Sequence, residues 1–113
     1  MAPLVAAATD EPEPDIAVEM CEAAFELAGP AHIRELRTAV DIMLRIASDE
    51  NSPRAARRDA LEHLHQHIDH AVTAADDDVA ALADWWKKGR DRAGWSSATR
   101  RLSIPAPPSA LAP

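Results

Sequence analysis

The chain has 113 residues, which is enough for one compact domain. Hydrophobic residues make up 47% of the sequence, but 25 of them are alanine, so only 28 larger apolar side chains can build a core. With three glycines, no tyrosine and few runs of β-branched residues, the composition disfavours a β-sheet protein. The sequence therefore predicts an all-α fold with a small interior.

Composition also limits the cellular setting. No stretch approaches the roughly 18 uninterrupted apolar residues that a membrane-spanning helix requires. The first residues lack the basic region of a signal peptide, and the single cysteine, Cys21, cannot form an internal disulfide. We therefore expect a cytoplasmic protein. Frequent alanine, arginine and aspartate favour a bacterial or phage source with GC-rich DNA.

The first half of the chain predicts a flexible arm followed by two helices. Residues 1–14 contain three prolines and no helical period, which is typical of a flexible, acidic arm. A helix then begins at Asp15 and ends at Gly29-Pro30. The second helix runs to Ser48 and has more apolar surface than a single stripe provides. We therefore expect this helix to be central, and its additional apolar surface mildly favours a homodimer.

The second half predicts one or two more helices and a tail. Ser52-Pro53 is a helix-start signal, and the three acids at 76–78 suit the start of a further helix that ends near Arg92. An unbroken helix over 53–92 is the alternative. Residues 95–113 are rich in proline and predicted to be extended or disordered. Short connections then give a small antiparallel bundle of three to four helices over residues 15–94.

Charge is segregated along the chain. Residues 1–30 contain seven acids and no lysine or arginine, whereas residues 79–113 contain six bases and two acids. In the first helical hairpin this layout pairs Glu22 with Arg37, an exposed contact worth about 0 to 1 kcal/mol. The formal net charge of −7 argues against general binding of duplex DNA, which needs an extended basic face.

The basic C-terminal segment interleaves tryptophans with basic residues. Such side chains are common hot spots of protein interfaces, and they also stack on single-stranded nucleic acid. Trp86 continues the apolar stripe of Val79 and Leu82 and is expected in the core, while the bases could simply complement the dipole of the last helix. The candidate partner-binding residues are Trp85, Lys87, Lys88, Arg90, Arg92, Trp95, Arg100 and Arg101.

A second candidate contact lies at the start of the third predicted helix. Arg54, Arg57 and Arg58 occupy the turn where the helix dipole disfavours positive charge by roughly 0.3 to 1 kcal/mol each. Two explanations are open. Nearby acids such as Asp49 and Asp59 neutralise the turn, or the arginines contact an anionic partner.

Histidines in the same helix raise the question of metal binding. His63, His67 and His70 recur at i, i+4 and i+7, a spacing that lets imidazoles point the same way. They lie opposite the stripe of Leu61 and Leu64, and no fourth ligand is visible, so a solvated polar face is the favoured interpretation. A metal site on this helix remains the alternative, and no metal or other cofactor is assigned.

No motif of a known enzyme class is present in the sequence. There is no nucleophile elbow, phosphate-binding loop or paired-cysteine motif. Cys21 lies on the apolar side of its helix and is expected to be an inert, buried side chain. The sequence therefore favours a non-enzymatic protein-interaction module, an adaptor or regulatory subunit. The alternatives are a nucleic-acid-binding protein and a helical metal-binding protein.

Overall fold

The computed structural model describes residues 1–69 and 79–104, and the fold is predominantly helical, as expected. Within those residues no helix combines the length and the apolar character needed to cross a bilayer. The helices are α1 (Ala2–Asp10), α2 (Pro14–Leu27), α3 (Ile33–Ser48), α4 (Arg54–His67) and α5 (Val79–Gly89), with 3-10 turns at Pro30–His32 and Arg90–Arg92. The strands are β1 (Ile68–Asp69), β2 (Gly94–Ser96) and β3 (Arg101–Ser103).

The hairpin of α2 and α3 forms as the sequence predicts. α2 begins at Pro14. Proline lacks a backbone N–H, but N–H groups in the first turn of a helix have no acceptor within the helix, so no hydrogen bond is lost. Asp15 in the same turn complements the helix dipole. α3 is central, because eight of its residues are buried. The additional apolar surface of α3 is covered within the chain, so the observation that favoured a homodimer has an intramolecular explanation.

The N-terminal segment differs from the expected flexible arm, because residues 2–10 form a helix that belongs to the core. Val5 and Ala8 lie one turn apart on α1 and are buried against the other helices. Pro3 stands in the first turn, where proline is compatible with a helix. The buried face of α1 consists of Val5 and Ala8 with the half-buried Leu4 beside them, which is too weak a pattern to identify from the sequence.

The third and fourth predicted helices are separate. α4 ends at His67, and the chain continues as the strand β1, so the alternative of one unbroken helix is wrong. α5 then runs from Val79 to Gly89. The predicted boundary at 76–78, like His70, lies outside the described residues.

A small sheet replaces part of the predicted disordered tail. β3 is its central strand, parallel to β1 and antiparallel to β2. Leu102 of β3 is fully buried and stands in register with Ile68 and Trp95. Residues 95–104 are therefore held by backbone pairing and by an apolar anchor, which was not apparent from their polar sequence. Residues 105–113 lie outside the described part of the chain.

Candidate functional site

Several of the predicted partner-binding residues make contacts within the protein, beginning with α5. Trp86 is only 3% exposed, as the sequence predicts, and its indole N–H donates a hydrogen bond of 2.7 Å to Asp41 Oδ1. The Arg90 guanidinium donates to both oxygens of the same carboxylate, at 3.1 and 2.9 Å from Nε. Asp41 thus joins α3 to α5, and Arg90 is committed to that junction.

Trp95 and Arg100 form a second junction, at the end of α2. The Arg100 guanidinium donates to the carbonyls of Phe25, at 2.6 Å, and Glu26. The same guanidinium lies 5.6 Å from the centroid of the Trp95 ring, which itself packs at a tilt against Phe25. Arg100 also has a φ of 55°, a left-handed backbone conformation that is uncommon outside glycine. These contacts fix the turn between β2 and β3 on α2.

Arg101 completes the set of internal contacts. Its guanidinium donates to the carbonyls of His65 and Ile68, at 3.1 and 2.6 Å, and so satisfies acceptors at the C-terminal end of α4. Of the predicted surface, Lys87, Lys88 and Arg92 are exposed and Trp85 is half-buried. The basic surface is therefore smaller than the sequence pattern predicts.

The arginines at the start of α4 line an open groove. The groove measures about 310 Å³ and lies where α4 meets the end of α3 and the start of α5. Among the described residues, none of the three arginines has an ion pair within 4 Å, and Asp49 instead accepts hydrogen bonds from Asn51 N–H and the Ser52 hydroxyl. We call this feature the arginine groove; its lining residues are Ala47, Arg54, Arg57, Arg58, Leu61 and Val79.

A carboxylate and two imidazoles meet on the opposite side of α4. Glu22 Oε2 lies 2.9 Å from His63 Nδ1 and 2.9 Å from His67 Nε2. The predicted pair of Glu22 with Arg37 does not form, because Arg37 donates to the carbonyls of Asp91 and Ala93. We call Glu22, His63 and His67 the Glu-His cluster.

The position of His67 corrects the expectation of a solvated histidine face. Its side chain is only 7% exposed, and its ring stacks on Phe25 with 4.5 Å between centroids and 6° between planes. His63 is 29% exposed and Glu22 is 18% exposed, so the cluster is mostly shielded from water. The spacing of His63 and His67 was visible in the sequence, but their carboxylate partner is contributed by another helix and has no local signal.

No protein-family model, curated protein or solved structure matches this chain. The arginine groove and the Glu-His cluster are therefore the two features on which function is argued.

Proposed function

We propose that this chain is a non-enzymatic protein-interaction module, an adaptor or regulatory subunit, that binds an acidic segment of a partner protein in the arginine groove. The observation that supports this proposal is the set of three arginines that line one groove without an acidic partner among the described residues. The free thiol of Cys21 is compatible with a reducing compartment, and the proposal includes a cytoplasmic location.

The energetics of the first turn of α4 favour an anionic ligand. The free N–H groups of a helix start attract negative charge, and cations there are unfavourable by roughly 0.3 to 1 kcal/mol each. Arg54 and Arg58 are exposed at this turn, and the buried Nε of Arg57 lacks an acceptor among the described residues. A bound carboxylate would offset the local repulsion and accept hydrogen bonds from the guanidinium groups.

The mixed apolar and cationic lining of the groove favours a peptide over a small ion. The lining is apolar at Ala47, Leu61 and Val79 and cationic at the three arginines. An amphipathic segment with alternating apolar and acidic side chains would complement both parts. The exposed Lys87 and Lys88 of α5 and Arg92 of the following 3-10 turn form a second basic surface, which we include as an accessory contact.

Fluorescence anisotropy with a labelled amphipathic peptide that carries glutamates and leucines tests the proposal. We expect the double variant Arg54→Gln/Arg58→Gln to weaken binding about tenfold or more, the loss expected of interface hot spots. Both side chains are exposed, so folding should be retained. The matched control is Lys87→Gln/Lys88→Gln, which removes the same charge from α5 and should have a smaller effect.

Two further probes separate the alternatives. A peptide with glutamine in place of every glutamate should bind much more weakly than the acidic peptide. Equal binding of the two peptides, or full binding by the Arg54→Gln/Arg58→Gln variant, would contradict the proposal. Tight binding of a single-stranded oligonucleotide that falls steeply with salt would support the nucleic-acid alternative instead.

A further inference from the structure

We propose that the Glu-His cluster is a binding site for a divalent transition-metal ion, with Glu22, His63 and His67 as its ligands. Two imidazole nitrogens and one carboxylate oxygen are a donor set that zinc and neighbouring first-row metals accept, whereas calcium and magnesium prefer oxygen ligands. The site is independent of the arginine groove, because the two share no residue.

The spacing of the ligand atoms suits one ion. The carboxylate oxygen of Glu22 and the two ring nitrogens all lie within 4.8 Å of one another, and the oxygen is 2.9 Å from each nitrogen. Ligands bound tetrahedrally at about 2.0 Å from zinc stand about 3.3 Å apart. The cluster would therefore need to open by a few tenths of an ångström at its two short edges and to close by up to about 1.5 Å between the two ring nitrogens, a change within reach of side-chain rotation.

The hydrogen-bond geometry of His67 is compatible with a metal ion between these groups. Its Nδ1 faces the Arg100 carbonyl at 3.5 Å, and its Nε2 faces Glu22 Oε2 at 2.9 Å, and both partners are acceptors. A neutral imidazole has one N–H and one lone pair, so it cannot donate to both. The tautomer with Nε2–H donates to Glu22, whereas the tautomer with Nδ1–H donates to the carbonyl and turns the Nε2 lone pair towards the carboxylate, an arrangement that a shared cation would stabilise.

His63 leads to the same conclusion. Its Nδ1 also lies 2.9 Å from Glu22 Oε2, yet the contact is not aligned as a hydrogen bond, and this buried nitrogen has no hydrogen-bond partner among the described residues. A single proton on His67 would leave that nitrogen unsatisfied. A metal ion coordinated by all three groups satisfies both nitrogens and the carboxylate at once.

The surroundings of His67 resemble the outer shell of a metal ligand. Ligating histidines usually donate their second nitrogen to a carbonyl or carboxylate, which fixes the tautomer and the ring orientation. The Arg100 carbonyl occupies that position, and the Phe25 ring holds the imidazole plane. Arg100 is itself fixed by its hydrogen bonds to Phe25 and Glu26, so the β2–β3 turn supports the site.

An open cleft gives an ion access to the cluster. It measures about 390 Å³, and Glu22 and His67 form part of its wall. The other charged groups on that wall are Glu26 and Arg100, the latter with its guanidinium engaged by backbone carbonyls. Three protein ligands leave a fourth coordination position, where water or an external ligand from the cleft could bind.

Isothermal titration calorimetry with zinc chloride on the full chain, together with the visible absorption spectrum of the cobalt complex, tests the proposal. We expect one ion per chain. Glu22→Gln, which keeps the size of the side chain, and His63→Gln, at the more exposed histidine, should each weaken binding by at least about 10- to 100-fold, the loss that even outer-shell changes cause. Circular dichroism verifies that each variant is folded.

The matched control is His65→Gln, since His65 lies on the same helix but outside the cluster. This variant should retain zinc binding and the cobalt spectrum of the unmodified chain. The proposal is overturned if the unmodified chain takes up neither metal at micromolar concentration, if Glu22→Gln binds as tightly as the parent, or if His65→Gln abolishes uptake. The first of these outcomes would leave a hydrogen bond between His67 and Glu22 as the explanation, and none of them affects the peptide-binding experiment.

Discussion

Trp86 combines apolar burial with a directed hydrogen bond, and its neighbour Trp85 is less deeply buried. Trp86 is almost fully buried and donates to Asp41, whereas Trp85 is half-buried and lies 6.4 Å from the Trp86 ring. We expect Trp86→Ala to lower the free energy of unfolding by about 3 to 5 kcal/mol, because it leaves a cavity and removes one hydrogen bond to Asp41. Trp85→Ala, the control, should cost less, about 1 to 2 kcal/mol, because the side chain is only half-buried.

Urea denaturation followed by circular dichroism measures both tryptophan variants. A chain of this size has a total stability of about 5 to 15 kcal/mol, so the Trp86 variant should lose a large fraction of its stability. Equal losses for the two variants, or a larger loss for Trp85→Ala, would contradict the assignment of the buried face of α5.

Cys21 should be nearly inert in the folded protein. Its thiol is buried on α2, and burial raises the pKa of that thiol from 9.0 to about 12, against a smaller lowering by the Arg45 guanidinium. Since the thiolate is the reactive form, modification by a disulfide reagent at pH 8 should be slow and should accelerate in urea. Rapid, complete modification without urea would contradict the buried position.

The same pKa shift makes stability depend on alkaline pH. The folded state keeps the thiol proton above pH 9, where the unfolded chain releases it, so the folded state binds more protons in this range. The contribution of Cys21 to stability is therefore complete below pH 9 and decreases as pH rises towards 12. We expect Cys21→Ala to reduce the alkaline loss of stability, measured as the difference between variant and parent urea curves.

At the scale of elements, α1 is the part of the fold that differs most from the sequence prediction. Ala8 is fully buried, while Ala7 beside it is exposed. We expect Ala8→Glu to detach α1 or to lower stability by about 2 kcal/mol or more, because it brings an unpaired charge into the core. Ala7→Glu should change stability by less than about 0.5 kcal/mol.

Limited proteolysis and urea denaturation measure the effect on α1. The N-terminal segment of the Ala8→Glu variant should be cleaved faster than that of Ala7→Glu. If the two variants behave alike, residues 2–10 are not packed on the core, and the sequence-based prediction of a flexible arm would be restored.

Arg101 tests whether the C-terminal bases stabilise the fold or serve a partner. It donates to the carbonyls of His65 and Ile68, whereas Arg92 is exposed and makes one long contact of 3.4 Å to the Lys88 carbonyl. Arg101→Gln should lower the free energy of unfolding by about 1 to 3 kcal/mol, because charged donors to buried carbonyls are lost. Arg92→Gln should be silent in thermal denaturation, and an equal effect of the two substitutions would contradict the assigned contacts.

Local signals explain which elements could be predicted. Pro14, the Gly29-Pro30 pair and Pro53 mark helix boundaries through backbone chemistry that acts within a few residues, and the structure places helix ends beside them. The strands β2 and β3 have no such signal, since they are three residues long and depend on Leu102 meeting a core that other elements build. Glu22 and His67, 45 residues apart, meet only after α2 and α4 pack.

For the molecule as a whole, one core joins segments that the charge pattern separates. The acidic N-terminal third contributes Val5 and Phe25 to this core, and the basic C-terminal segment contributes Trp86 and Leu102. Within residues 1–69 and 79–104 the C-terminal bases form few direct ion pairs, such as Arg90 with Asp41 at 2.8 Å. Arg100 and Arg101 of the C-terminal segment instead donate hydrogen bonds to backbone carbonyls near the C-terminal ends of α2 and α4. These basic residues therefore satisfy helix carbonyls rather than form salt bridges.

A shared core predicts that the two ends of the chain unfold together. All three tryptophans lie between residues 85 and 95, so their fluorescence reports the C-terminal third, while far-ultraviolet circular dichroism reports α1 to α5. We expect coincident urea transitions by the two probes, as a single cooperative unit requires. An earlier fluorescence transition would mean that the C-terminal segment is a separate tail.

Leu102→Ala sharpens this comparison of probes. The side chain is fully buried in β3, so its truncation should cost about 2 to 5 kcal/mol. If the core is shared, the variant shifts both transitions to lower urea by the same amount, because loss of the β3 anchor destabilises every element that packs on it. If only the fluorescence curve moves, β2 and β3 are an appendage of the helices, and the Arg100 carbonyl would no longer be a rigid part of the surroundings of His67.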